Sequence, residues 1–142
     1  MIRLAVLMLL LTGAAGERAV LIVQAPDSPV KLDRATILAA ADAPPVVLYA
    51  ATNVGGSKLD EFTVMAFVFD ADGTLKARQV APGRRTLETG ETKYSTLVLD
   101  GSPIESTDQI VVGVNQAQRV GSDAWWRADL QPAAQASVQR KK

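Results

Sequence analysis

Short apolar runs separated by turn-forming residues fill most of the chain. Gly, Pro, Asp and Asn break these runs at intervals of about 8–15 residues, which is typical of an all-β domain. The pattern predicts strands over residues 19–24, 46–52, 62–69, 74–80, 93–99, 109–117 and 125–130. About seven strands at this spacing predict an immunoglobulin-like antiparallel β-sandwich.

Residues 30–38 allow two interpretations. The β-branched residues within 36–38 favour a strand, whereas the leucine and alanines of residues 38–41 favour a helix. Pro44 and Pro45 would end such a helix, because proline lacks the backbone N–H that the helix needs.

Apolar residues occupy both faces of the strand predicted over residues 62–69. One face carries Phe62, Val64, Ala66 and Val68, and the other carries Met65, Phe67 and Phe69. This predicts a central strand, with one face in the core and the other covered by a loop, a terminus or a partner. Asp70 to Gly73 predicts the following hairpin turn, because glycine takes the positive φ that such turns use.

The N-terminus has the charge order of a secretory signal peptide. Arg3 precedes an apolar run over residues 4–11, and small residues follow over 12–16. We expect cleavage after Ala15 or Gly16. The run is shorter than the ~20 residues of a membrane-spanning helix. A buried N-terminal helix or strand of a cytoplasmic protein is the alternative.

These features divide the chain into three expected parts. Residues 1–16 are the signal peptide, 17–131 the sandwich domain, and 132–142 a flexible tail or marginal helix. A cleaved signal predicts a periplasmic or extracellular protein. No other run approaches membrane-spanning length, so we expect no integral membrane segment in the mature chain.

The composition excludes much of the common catalytic chemistry. The chain has no histidine and no cysteine, which removes catalytic triads, thiolate sites and the usual transition-metal ligands. Fifteen basic and 15 acidic residues balance, which gives no electrostatic reason to expect nucleic acid. We therefore expect no enzyme activity, no metal and no cofactor.

Carboxylates are the remaining reactive groups. Asp70 and Asp72 share a fragment with calcium loops, but Ala81 stands where such a loop needs its bidentate glutamate, so hairpin chemistry explains them better. A hydrolase that uses carboxylates alone is a remaining alternative. Its candidate pairs combine Asp60 or Glu61 with Glu88 or Glu91.

The candidate binding residues are Trp125, Trp126 and Arg127, with Arg84 and Arg85 in a loop after Pro82-Gly83. In a strand the two indoles point to opposite faces, so at most one fills the core. The other covers an edge, packs beneath the tail or is exposed to a partner or sugar ring.

Five features follow one another between residues 46 and 117. Asn53 ends a strand before a small-residue turn, the pair Phe69-Asp70 precedes the turn at Gly73, and residues 87–91 form a Gly-Glu turn. In this order they resemble the FxLYD-type domains of exported bacterial and archaeal proteins. The resemblance implies an immunoglobulin-like extracytoplasmic module and carries over no catalytic residues.

These observations predict a binding or structural module that mediates protein–protein association in the cell envelope. A sheet edge or the apolar surface around the tryptophans is the expected contact. The alternative of a different class is a carbohydrate or cell-wall ligand stacked on an exposed tryptophan.

Overall fold

The computed structural model describes residues 18–40, 42–81, 86–101 and 103–140. They form two β-sheets with one helix, which confirms the all-β sandwich. The predicted signal peptide over residues 1–16 lies outside the described residues. The elements are β1 (Arg18–Ala19), β2 (Leu21–Ile22), β3 (Val30–Ala40), β4 (Ala43–Asn53), β5 (Leu59–Phe69), β6 (Leu75–Val80), β7 (Thr92–Val98), β8 (Gln109–Arg119), β9 (Trp125–Trp126) and α1 (Leu130–Arg140).

One sheet has the strand order β1-β3-β4-β7, and the other has β2-β8-β5-β6 with β9 also paired to β8. We call them the first and second sheet. Inward-facing side chains from both sheets form the main core. Its largest fully buried members are Tyr49, Phe62, Ile37, Leu59, Leu87 and Leu97.

The neighbouring strands match those of an immunoglobulin sandwich, but the chain visits them in a permuted order. There, strand E lies between D and B, and strand F lies between G and C. Here β4 lies between β3 and β7, and β5 lies between β6 and β8. With β3, β4, β5 and β6 at the positions of D, E, F and G, the chain runs D-E-F-G-B-C, and β1 and β2 are additional edge strands.

The first predicted strand, residues 19–24, is divided between the two sheets. Ala19 pairs with β3 in the first sheet, whereas Leu21 and Ile22 pair in parallel with β8 in the second. Val20 marks the crossing, because its N–H still donates to the Ala35 carbonyl, 3.0 Å away. The chain thereby closes one side of the sandwich.

The ambiguous segment is a strand. β3 pairs with β4 through Leu38 opposite Val46 and Ala40 opposite Ala43, so the helical alternative is wrong for residues 38–40. Pairing between strands outweighs the helix propensity of leucine and alanine here. Pro44 lies near the start of β4, where a strand tolerates a missing N–H.

The second apolar face of β5 is covered by the C-terminus of the chain. Phe67 and Phe69 pack with Val111 of β8 against Leu130, Ala134 and Val138 of α1. From residue 132 we expected a flexible tail or a marginal helix; residues up to Arg140 form a helix. The three contacting residues are four apart and therefore share one helix face. That face is narrow and includes one alanine, which explains why it is inconspicuous in the sequence.

Candidate functional site

The two tryptophans of β9 face opposite sides of the second sheet, as their alternation predicts. Trp125 is 9% exposed and belongs to the main core. Its indole Nε1 donates to the Asp27 carboxylate at 3.1 Å, which satisfies the polar end of the buried ring. Trp126 lies opposite Gln116 and is 66% exposed. Trp126 is therefore the tryptophan whose indole can contact a ligand.

Arg127 follows these tryptophans and lies beside the N-terminal segment. Its backbone N–H donates to the Asn115 carbonyl at 3.1 Å. Its guanidinium donates through Nε to Asp129 Oδ1 at 3.1 Å and through Nη1 to the Val23 carbonyl at 3.5 Å. The side chain is mostly buried, whereas the Asp129 carboxylate is largely exposed. Arg127 is thus a positioned cation at the boundary between β9, β2 and α1.

The two other predicted binding residues, Arg84 and Arg85, lie outside the described residues. The structure therefore brings together three of the five predicted binding residues in one segment, Trp125 to Arg127. It also divides them, because one tryptophan is in the core, one is at the surface and the arginine lines a groove.

That groove, which we call the β2–α1 groove, lies between β2 with the residues after it and the adjacent side of α1. Its volume is about 520 Å³. Aliphatic side chains and small helix residues dominate the lining, and Gln24, Arg127 and Ser137 add polar groups. The lining residues are Leu21, Ile22, Val23, Gln24, Arg127, Ala133, Ala136 and Ser137. Small residues on the helix keep this side of the groove open.

The backbone of Ile22 faces away from the sheet. Val23 donates its N–H to the Val112 carbonyl at 3.0 Å, and the parallel pairs Leu21–Val111 and Ile22–Val112 fix the register. In this register Leu21 and Val23 direct their peptide groups at β8, and the alternation turns the N–H and carbonyl of Ile22 outward. Neither group has a hydrogen-bond partner among the described residues.

The longer edge strands, β6 and β7, carry cations. Lys93 on β7 donates its ammonium to the Thr86 carbonyl at 2.8 Å, and Arg78 on β6 donates to Gln131 Oε1 at 2.7 Å. Basic side chains on an edge strand discourage pairing with another chain. β2 consists of leucine and isoleucine, so it lacks this protection.

Lys76, also on β6, holds the loop before β8. Its ammonium lies 2.6 Å from the buried Asp108 carboxylate, which also accepts the N–H of Glu105. The hydrogen bond to Asp108 raises the pKa of Lys76 above its ordinary value. Because the partner is buried and already satisfied, we interpret this pair as structural.

The Asp70–Asp72 pair forms the hairpin turn that the sequence predicts. Asp70 Oδ1 accepts the N–H groups of Asp72 and Thr74, both at 2.9 Å, and Gly73 has a φ of 84°. The described residues contain no group of three or more metal-ligating side chains.

Comparisons of the chain with protein-family models, curated proteins and solved structures gave no match. The resemblance to FxLYD-type domains therefore stays a prediction. Within the described part of the chain, no helix is long and apolar enough to cross a membrane.

The alternation pattern did not predict the β2–α1 groove or the outward-facing backbone of Ile22. Its two sides come from residues 21–24 and 133–137, which are far apart in the sequence. The four-residue spacing of Leu130, Ala134 and Val138 is the signal that would have revealed the helix. The divided first strand has no such signal.

Proposed function

We propose that this protein is a non-catalytic binding module that takes up an extended segment of a partner protein in the β2–α1 groove. The observation that carries the proposal is the outward-facing N–H and carbonyl of Ile22 beside an open groove. Addition of a strand to such an edge is a common way to bind peptides, because main-chain hydrogen bonds provide affinity and side-chain pockets provide specificity.

The side chains that line the groove determine which partner segment it prefers. An extended chain hydrogen-bonded to Ile22 would direct alternate side chains to the same side. Leu21, Val23 and Ala133 favour aliphatic side chains there. The guanidinium of Arg127 already donates through Nε to Asp129 and through Nη1 to the Val23 carbonyl. Its remaining N–H groups favour a carboxylate, because charge-assisted hydrogen bonds to arginine are strong. The preferred segment is therefore an aliphatic strand with an acidic group near Arg127.

We also propose that the protein functions outside the cytoplasm. The signal-like order of residues 1–16 and the absence of cysteine and histidine from the whole chain support an exported module without a reactive centre. In this compartment the partner segment belongs to another envelope or secreted protein.

A library of random peptides displayed on phage tests the proposal. We expect the protein to enrich peptides that combine alternating aliphatic residues with an acidic residue or a free C-terminal carboxylate. We expect Ala136→Trp to weaken binding of an enriched peptide by about tenfold or more, because the new indole occupies the groove. The measurement is fluorescence anisotropy with the labelled peptide.

Gln139→Trp is the matched control. It places the same side chain on α1, three residues further along, at an exposed position that does not line the groove. We expect this variant to bind as the wild type does. The proposal is wrong if no peptide is enriched, or if Ala136→Trp and Gln139→Trp bind an enriched peptide equally well.

A further inference from the structure

We propose that the part of the outer face of the second sheet around Trp126 binds a saccharide. The observation is a row of three side chains across β5, β8 and β9. Thr63 pairs with Gln116, and Gln116 pairs with Trp126. Directly paired residues of antiparallel strands place their side chains on the same face. This site is separate from the β2–α1 groove and does not depend on it.

Trp126 provides the flat apolar surface. Two-thirds of the residue is exposed, and it is held by the pairing of β9 with β8. A pyranose ring has an apolar face of C–H groups, which carry partial positive charge and are attracted to the negative face of an indole. Exposure of so large an apolar ring is costly in water, and a stacked sugar would cover it without a large protein interface.

Gln116 provides an unused amide beside this ring. The residue is only 6% exposed, yet its side chain forms no hydrogen bond with a described residue. No fully buried side-chain nitrogen or oxygen among those residues lacks a partner, so the amide of Gln116 must keep contact with solvent. This amide has no partner among the described residues and is reached by solvent, so it is available to a ligand. A ligand hydroxyl or acetamido group would satisfy it.

The remaining neighbours are polar and uncharged. The bulge in β8 places Asn115 next to Gln116, and the Asn115 amide donates to Thr63 Oγ1 at 3.4 Å. Primary amides and hydroxyls both donate and accept hydrogen bonds, as sugar hydroxyls do. An apolar protein surface would leave these groups unpaired, at a cost. The combination with Trp126 therefore favours a saccharide over a protein partner.

Calorimetric titration with chitotetraose and cellotetraose tests the proposal. We expect at least one of them to bind with a dissociation constant of about 1 mM or below. Binding of both indicates recognition of the pyranose ring, and binding of chitotetraose alone indicates recognition of the acetamido group. If neither binds at about 5 mM, the proposal is wrong.

Two alanine variants test whether the saccharide binds at Trp126. We expect Trp126→Ala to weaken binding of the same probe by about tenfold or more, which corresponds to about 1.4 kcal/mol. Tyr94→Ala removes another exposed aromatic ring, from β7 of the first sheet, and we expect it to leave the affinity unchanged. Equal affinities of Trp126→Ala and the wild type would contradict the assignment.

Gln116→Leu separates a binding role from a structural one. The substitution keeps most of the volume and removes an amide that has no internal partner. We expect weaker saccharide binding together with a melting temperature that is unchanged or raised by about 3 °C. If the variant binds as the wild type does, or if its melting temperature falls, the role of Gln116 in this site is wrong.

Discussion

Replacement of Asn53 by alanine should lower the free energy of unfolding by about 3 kcal/mol. Asn53 is fully buried at the end of β4. Its amide donates to the carbonyls of Ser57 and Leu87 at 2.8 and 3.0 Å, and its Oδ1 accepts the N–H of Gly55 at 2.9 Å. The substitution leaves three backbone groups without this partner. Urea denaturation measures the change.

Gln139→Ala controls for loss of an amide as such, because Gln139 is exposed and should change stability by less than about 0.5 kcal/mol. Asn53→Asp should be at least as destabilising as Asn53→Ala, since a carboxylate cannot donate to the two carbonyls. A loss below about 1 kcal/mol for both Asn53 variants would show that this network contributes little.

Gly113→Val should produce the second large loss, about 3 kcal/mol or more, by separating α1 and β2 from β8. A Cβ atom at Gly113 would lie 2.5 Å from Leu130 Cδ1 and 3.1 Å from the Val23 carbonyl oxygen. The first neighbour is a buried side chain and the second is backbone, so both must move. Urea denaturation gives the stability, and amide exchange of α1 shows whether the helix separates.

Gly56→Ala is the corresponding control, because a Cβ atom at Gly56 meets nothing within 4 Å. We expect it to change stability by less than about 0.5 kcal/mol. If Gly113→Val unfolds at the same urea concentration as Gly56→Ala, the close packing of α1 and β2 on β8 is wrong.

The sandwich and its central strand were predictable because they depend on local alternation. Residues 62–69 are apolar on both faces, and this pattern predicted that the second face is covered. The turn at Asp70 to Gly73 and the opposite orientations of Trp125 and Trp126 follow from equally local rules. In each case the relevant residues are neighbours in the sequence.

The helix α1, which covers the second face of β5, was not predictable in the same way. Ala134 and Val138 form a short apolar stripe that becomes a stable helix only by packing on Phe67 and Phe69. Likewise, the change of sheet at Val20 depends on β3 and β8, which lie far along the chain. The groove forms only because α1 packs on the second sheet and the chain changes sheet at Val20. No pattern of neighbouring residues predicts it.

The covered face also changes the basis for a binding function. The apolar face of β5, with Phe67 and Phe69, was a possible partner surface on sequence grounds, but α1 occupies it. The proposed contact is the edge of β2, where the N–H and carbonyl of Ile22 have no partner among the described residues. The exposed indole of Trp126 forms a second, more polar surface. The two surfaces predict separate ligands.

Amide hydrogen exchange at three consecutive residues tests the central claim most directly. In the free protein we predict that the N–H of Ile22 exchanges at least about a hundredfold faster than those of Leu21 and Val23, which are bonded to β8. A peptide enriched by the protein should then slow exchange at Ile22. If Ile22 is as protected as its two neighbours before any peptide is added, its backbone is not free and the proposed mode of binding is wrong.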